Sequence, residues 1–243
     1  MKAIILAAGV ASRLRPLTEN TPKCLLQVGD KLILKRTIDN LIKNNITEII
    51  VVTGFLRKMI EDYLNQNYPS ITFTFIYNEK YDSTNNIYSL WLAKSEILGH
   101  EMLLLDSDII FDSRIVGQLI SSNHKDCLAL RSTETLGDEE IKCLLNDDGS
   151  IKEISKTITP SEAIGESIGI EKFSKELVFR LFTILDRKIL DNKEVNIFYE
   201  AAFQDAMDSG AKIYPVDVEE YKCMEIDTVE DFEIAASVVR TMM

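Results

Sequence analysis

The chain has 243 residues, 46% of them apolar and 27% charged, enough to bury one large core. Its formal net charge of −12 argues against nucleic acid as a partner. Four cysteines without CxxC spacing and only two histidines argue against a disulfide framework or a zinc site, and suit a reducing cytoplasm.

Taken in chain order, Lys2–Leu6 reads as a continuous apolar strand of the kind buried inside a parallel sheet. Met1–Ala11 mimics a short signal peptide, but Arg13 and Arg15 follow at once and a buried first strand explains the run better. Leu34, Ile38, Leu41 and Ile42 fall at helical spacing. Glu48–Thr53 is a second buried strand, and Leu56–Asn67 a helix with Met59, Ile60 and Tyr63 on one face. Ile71–Tyr77 alternates as a strand, Ile87–Ala93 is helical, and Glu101–Leu105 is a buried strand ending in Asp106-Ser107-Asp108. Strands alternating with helices predict βαβ units in a Rossmann-like, three-layer αβα sandwich with a mostly parallel sheet.

The second half changes character. Cys127–Arg131, Glu140–Leu145, Ile151–Ser155 and Ser167–Phe173 are short strands separated by turn signals such as Asn146-Asp147-Asp148-Gly149. They predict a mixed-strand extension of the same sheet. Leu177–Leu185 and Phe198–Met207 read as helices and Lys212–Val216 as a strand. Val229, Phe232, Ala236 and Val239 mark a closing helix, with Thr228 and Asp231 as a capping pair. No repeat or Pro/Gly-rich linker interrupts the chain, so residues 1–243 read as one domain, and no apolar run approaches the ~20 residues of a membrane span.

Charge is unevenly spread. Residues 1–36 hold seven Lys/Arg and two acids, net +5, against net −17 for the rest. An anion site near the N-terminus follows, unless the lysines are chance surface scatter. Within this stretch, Ala7, Ala8 and Gly9 follow the first strand, where ligands bind on open α/β sheets, and are small enough for close backbone approach. Arg13 and Lys23 supply positive charge, and Pro16 and Pro22 stiffen the excursion that carries them. The segment fits neither a Walker A loop nor a dinucleotide GxGxxG, because the glycine after Gly9 is Gly29.

Leu6-Ala7-Ala8-Gly9, Ser12-Arg13-Leu14, Pro16-Leu17-Thr18, Pro22-Lys23 and Leu25-Leu26 together resemble the signature LAAGxGxRLxPLTxxxPKxLL of the nucleotidyltransferases that activate sugar phosphates and phospho-alcohols. Ala11 departs from it where the family often has glycine, and a positive φ there would carry a cost. The resemblance implies a GT-A-like fold, nucleotide contacts from Leu6, Ala7, Ala8 and Gly9, and catalytic roles for Arg13 and Lys23 on the phosphates. It also implies a Mg²⁺ cofactor, for which Asp108 and Asp227 are the best matches and Glu225 a weaker one; Asp106 falls to the nucleotide. From residue chemistry alone, Asp106-Ser107-Asp108 and Glu225-Ile226-Asp227 are paired carboxylates whose i and i+2 members share a strand face, and each pair can equally be a helix cap or first-turn acid.

Asn78 to Leu90, with Asn85-Asn86-Ile87-Tyr88-Ser89-Leu90, resembles the cytidylyltransferase branch of that family, which points to CTP. Asn85, Asn86 and Ser89 have the polar edges to read a pyrimidine, although Asn85-Asn86 can also simply start a helix. The acceptor is then a small phospho-alcohol or aminophosphonate: phosphocholine, 2-aminoethylphosphonate or phosphoethanolamine. Choline favours an aromatic cage, with Tyr81, Tyr88, Trp91, Phe198, Tyr199 and Tyr221 as candidates; a primary amine favours a carboxylate such as Glu200. Ser132–Glu140 holds no aromatic residue, which weakens choline. Lys156 resembles the lysine that relatives place on the acceptor phosphate, so Lys156, Tyr199 and Glu200 make up the expected acceptor set. A sugar-1-phosphate nucleotidyltransferase using UTP, dTTP or GTP is the alternative enzyme, and a catalytically inactive binding relative the alternative of another class. A cytoplasmic enzyme, with neither nucleic acid nor membrane as partner, and a homodimer are compatible with all of these.

Overall fold

In the computed structural model, residues 1–132 and 136–240 are described. Thr133 to Thr135, inside the Ser132–Glu140 stretch, and residues 241–243 of the expected domain lie outside the described residues. The elements run β1 (Lys2–Ala7), β2 (Gln27–Val28), β3 (Lys31–Leu32), α1 (Ile33–Lys43), β4 (Glu48–Thr53), α2 (Arg57–Asn67), β5 (Thr72–Tyr77), α3 (Asn86–Leu92), α4 (Lys94–Ile97), β6 (Met102–Asp106), β7 (Ile109–Phe111) and α5 (Ser113–Ser121). They continue with β8 (Cys127–Arg131), β9 (Lys142–Leu145), β10 (Ile151–Ser155), β11 (Gly165–Phe173), α6 (Lys175–Asp186), α7 (Glu200–Asp208), β12 (Tyr214–Asp217), β13 (Cys223–Glu225) and α8 (Val229–Val239).

The main sheet is ordered β10-β9-β11-β6-β1-β4-β5, with β8 pairing β11 and β12. Strands β6, β1, β4 and β5 are parallel neighbours. Beyond them β11 runs antiparallel to β6, β8 and β9, which is the mixed extension expected from the short strands of the second half. The apolar strands are continuous because both sheet faces are covered. From β1, Ile4 and Leu6 face one core with residues of α3, α6 and α7. Ala3, Ile5 and Ala7 face the opposite core with residues of α1, α2 and α5. Successive side chains of a strand point to opposite faces, so one apolar run serves two layers.

A third, smaller cluster positions the site. Leu14, Leu26, Val28 and Ile33 from the start of the chain are buried with Ile110, Ile226, Ala235 and Val239. It clamps the loop after β1 to α8, whose first turn is fixed by a reciprocal Thr228–Asp231 capping box.

Two expectations are corrected. The buried face of α2 is Ile60 and Leu64, while Met59 is 41% exposed, because only one stripe of this short helix meets the sheet. Strands β7 and β13 form an extra antiparallel pair that was not expected, since three-residue strands carry no readable period.

Candidate active site

The loop after β1 has a defined path. Ala11 adopts φ 50° and ψ 51°, the left-handed region in which a side chain is disfavoured. Its carbonyl is held from two directions, by Thr18 Oγ1 at 2.8 Å and by the Leu14 amide at 3.1 Å. The next turn carries Lys23 back towards the sheet.

Earlier in the loop, the Ala8 carbonyl accepts from the Phe55 amide at 3.1 Å. A Cβ on Gly54 would lie 2.4 Å from that oxygen and 2.6 Å from Tyr81 Cβ, so only glycine allows the two segments to meet. A Cβ on Gly9, in contrast, would meet nothing within 4 Å. Gly9 opens onto a cleft of about 950 Å³.

Two cations from this loop meet acids from later in the chain. Lys23 Nζ donates to Asp108 Oδ2 at 2.8 Å and to Asp227 Oδ1 at 2.7 Å. Arg13 Nη2 donates to Asp227 Oδ2 at 2.6 Å. Burial alone would lower the Lys23 ammonium, but the two carboxylates outweigh it and hold it at about 12. Asp227 is held below the usual carboxylate range, its burial outweighed by Lys23 and Arg13.

Asp108, Glu225 and Asp227 each present an oxygen within 4.8 Å of the others. Asp108 Oδ1 is buried without a hydrogen-bond partner. Glu225 is pushed up to about 8 by desolvation inside the cleft and by the charges of Asp108 and Asp227. Three hard oxygen donors crowded together, one unpartnered and one unwilling to ionise, fit a divalent cation.

The cleft is lined by Leu6, Ala7, Ala8, Gly9, Arg13, Lys23, Asn85, Asn86, Ser89, Asp106, Asp108, Lys156, Glu200, Glu225 and Asp227, so the fold brings all of these expected residues together. Asn85 caps α3 by accepting from the Asn86 amide at 2.7 Å. Asn86 Oδ1 accepts from the Tyr199 amide at 2.9 Å. Both Asn oxygens are thus committed to backbone N–H groups, which leaves the NH₂ groups as the remaining donors. Ser89 Oγ accepts from Asn78 Nδ2 at 3.1 Å. Lys156 pairs with Glu139 at 3.3 Å and lies 5.0 Å above the Phe198 ring.

Tyr199 is the exception. Its side chain is fully buried and does not line the cleft. It packs on Phe203 and its hydroxyl donates to Asp106 Oδ2 at 2.9 Å. The expectation that it touches the acceptor is corrected: the residue before α7 points into the core, and Glu200 after it reaches the cleft. Asp106 itself is held well above its usual range by burial and by Asp108, Glu200 and Glu225.

Among the lining residues not singled out from the sequence are Arg131 and Glu166, which pair across β8 and β11. A basic residue ending an apolar strand was the available signal for Arg131. Nothing local marked Glu166, which depends on strand register.

With this geometry in view, comparison with known proteins is decisive. A nucleotidyl transferase family model matches residues 2–134. The chain belongs to that family. It is 32% identical over 255 residues to the CTP:phosphoglutamine cytidylyltransferase of Campylobacter jejuni, covering 96% of this chain and 98% of that protein. It is 29% identical over 237 residues to the choline-phosphate cytidylyltransferase of Streptococcus pneumoniae, covering 96% and 95%. The solved structure of the pneumococcal CTP:phosphocholine cytidylyltransferase superposes with a TM-score of 0.79 at 28% identity over 98% of each chain. This nucleotidyltransferase therefore has the fold expected from its alternating strands and helices. No helix among its described residues is long and apolar enough to cross a membrane.

Proposed function

We propose that this nucleotidyltransferase transfers CMP from CTP to a small phosphorylated alcohol or aminophosphonate, with Mg²⁺ as cofactor and release of pyrophosphate. The observation that carries this reading is the meeting of Lys23 and Arg13 with Asp108 and Asp227 at a cleft whose wall is the Ala8–Gly9 backbone and the asparagine pair. The cytidylyltransferase names of the full-length relatives support the choice of nucleotide.

The reaction forms a bond between a phosphate or phosphonate oxygen of the acceptor and the α-phosphorus of CTP. The bond from that phosphorus to its bridging oxygen breaks, and the electron pair leaves with pyrophosphate. A phosphomonoester has its second pKa at about 6, so the nucleophile is already an anion near neutral pH and needs no general base. Catalysis must instead overcome repulsion between polyanions.

Lys23 remains a full cation throughout the physiological range, because its pKa of about 12 is far above it. It and Arg13 supply charge to the triphosphate and to the departing pyrophosphate. Asp108 and Asp227, with Glu225, would hold the Mg²⁺, which when bound neutralises phosphate charge and polarises the α-phosphate. Leu6 and Ala7 place the backbone of Ala8 and Gly9, which admits the nucleotide closely; Asn85, Asn86 and Ser89 offer fixed polar groups to the base, and Asp106 sits beside them. Lys156 receives the acceptor phosphate. A single domain spanning residues 1–243 and a cytoplasmic location complete the reading, the latter supported by four free, buried cysteines.

Pyrophosphate release measured with CTP, UTP, dTTP and GTP against phospho-alcohols, aminophosphonates and sugar 1-phosphates tests it. CTP with a small acceptor is expected to give turnover that EDTA abolishes and Mg²⁺ restores. Preference for UTP or dTTP with a sugar phosphate would establish the alternative enzyme, and no release from any pair would leave only a binding role.

A further inference from the structure

We infer that the acceptor carries a primary ammonium group at the end remote from its phosphate, and that Glu200 at the cleft floor receives it. This rests on the cytidylyl-transfer reading above and narrows its acceptor class. Glu200 opens α7 and is held in place by the preceding Tyr199 amide, which donates to Asn86 Oδ1 at 2.9 Å. It lines the cleft, is only 7% exposed, and its Oε2 is buried with no hydrogen-bond partner.

The surroundings reinforce the demand for a cation. A second carboxylate, Glu171 on β11, is fully buried and faces the same region. Among the described residues neither glutamate has an ion pair. A protonated amine offers three N–H donors, which match an unsatisfied carboxylate oxygen. Lys156, in the same cleft, supplies the complementary cation for a phosphate, so the site is dipolar and suits a zwitterion.

A quaternary ammonium has no N–H and takes aromatic faces instead. That cage is not assembled among the described residues. Of the six aromatic candidates only Tyr81 and Phe198 line the cleft, and the Phe198 ring already carries Lys156. Trp91 donates to Asp186, Tyr88 packs on Trp91, Tyr221 lies under Arg114, and Tyr199 is buried. Burial pushes Glu200 up to about 7, only partly opposed by its own backbone amide and by Lys156. A bound ammonium restores the ionised form.

The test is the rate of pyrophosphate release from CTP with 2-aminoethylphosphonate, phosphoethanolamine, phosphocholine and ethyl phosphate. The better of the two primary amines is expected to exceed ethyl phosphate and phosphocholine in kcat/KM by about tenfold or more. Glu200→Gln should remove most of that preference, chiefly through KM for the amine. Calorimetric binding of the same four acceptors to the unsubstituted protein gives the ordering without reliance on the variant. Equal use of ethyl phosphate or phosphocholine, or a folded Glu200→Gln enzyme that keeps the preference, overturns the inference and leaves cytidylyl transfer standing. No release from CTP with any acceptor, sugar phosphates included, overturns both.

Discussion

The two sides of the cleft are built differently. The side proposed for the nucleotide is carried largely by one stretch, residues 6–23, hung from a strand that is hydrogen-bonded on both edges. The side proposed for the acceptor is gathered from separate places: Lys156 after β10 and Glu200 at the start of α7, with Glu166 on β11 and Phe198 lining the same cleft. On β11 the register shifts between Ser167 and Glu171, which sets what the strand shows to the cleft. The first side presents cations that the triphosphate needs whatever the acceptor. The second is dominated by carboxylates placed by tertiary structure. On the proposed reading chemistry and specificity sit on physically separable parts, so acceptor choice can change without disturbing the phosphate grip.

The sharpest way to break this division is Lys23→Ala. Turnover is expected to fall by ~10²–10³ for every acceptor alike, with the circular dichroism spectrum unchanged. A loss confined to one acceptor would place Lys23 on the wrong side of the comparison. Asp227→Asn removes the shared partner of Lys23 and Arg13 and one of three clustered oxygens. The rise in Tm on adding MgCl₂ is expected to shrink or vanish in that variant, measured by differential scanning fluorimetry.

Next in size is the clamp that joins the two ends of the chain. Ile226 is fully buried against the Leu14–Ile33 segment, so Ile226→Ala should cost ~2–5 kcal/mol in urea denaturation. It should also weaken Mg²⁺ stabilisation, because Asp227 is the next residue.

Glu200 gives a pH signature. Its ordinary value of 4.5 is raised to about 7, so between those values the unfolded chain releases a proton that the folded chain retains. Stability present below pH 4.5 is lost as pH rises to about 7. Glu200→Gln abolishes that component. The Tm of the variant relative to the parent should climb over this window and show no comparable gain at pH 4. Lys156, Asp106, Glu171, Tyr199 and Cys143 face the same region and remain in both proteins. The smallest effect is expected for Ala11→Gly, which relieves a left-handed alanine at φ 50° and should raise stability by no more than ~1 kcal/mol, seen as a small increase in Tm.

Much of the nucleotide side was legible because its determinants are local. Small residues after a strand, two prolines and three cations within residues 7–23 specify a loop wherever the rest of the chain goes. The departure of Ala11 from the family signature raised the question of a positive φ there, and the left-handed conformation occurs. The carboxylate pairs were visible from residue chemistry, but only the resemblance singled out Asp108, Asp227 and Glu225, the members that converge. Asp106 is turned to Tyr199 and only Asp108 joins Glu225 and Asp227, a distinction made by the β7–β13 pairing of three-residue strands. Tyr199 was misplaced for a related reason. Adjacent residues at a helix start point in different directions, and only packing decides that Glu200 rather than Tyr199 meets the cleft.

The central strand β1 is hydrogen-bonded to Ile49–Thr53 on one side and to Met102–Asp106 on the other. The ammonium of Lys23 meets an aspartate 204 positions later. The loop after β1 is thus translated well before the residues that complete its environment. During synthesis β1 lacks its second strand neighbour until residue 106 has emerged, and Lys23 lacks its second acidic partner until Asp227 follows Asp108. A half-made chain would hold an ungathered cationic loop and no enzyme, which ties the onset of catalysis to completion of the fold.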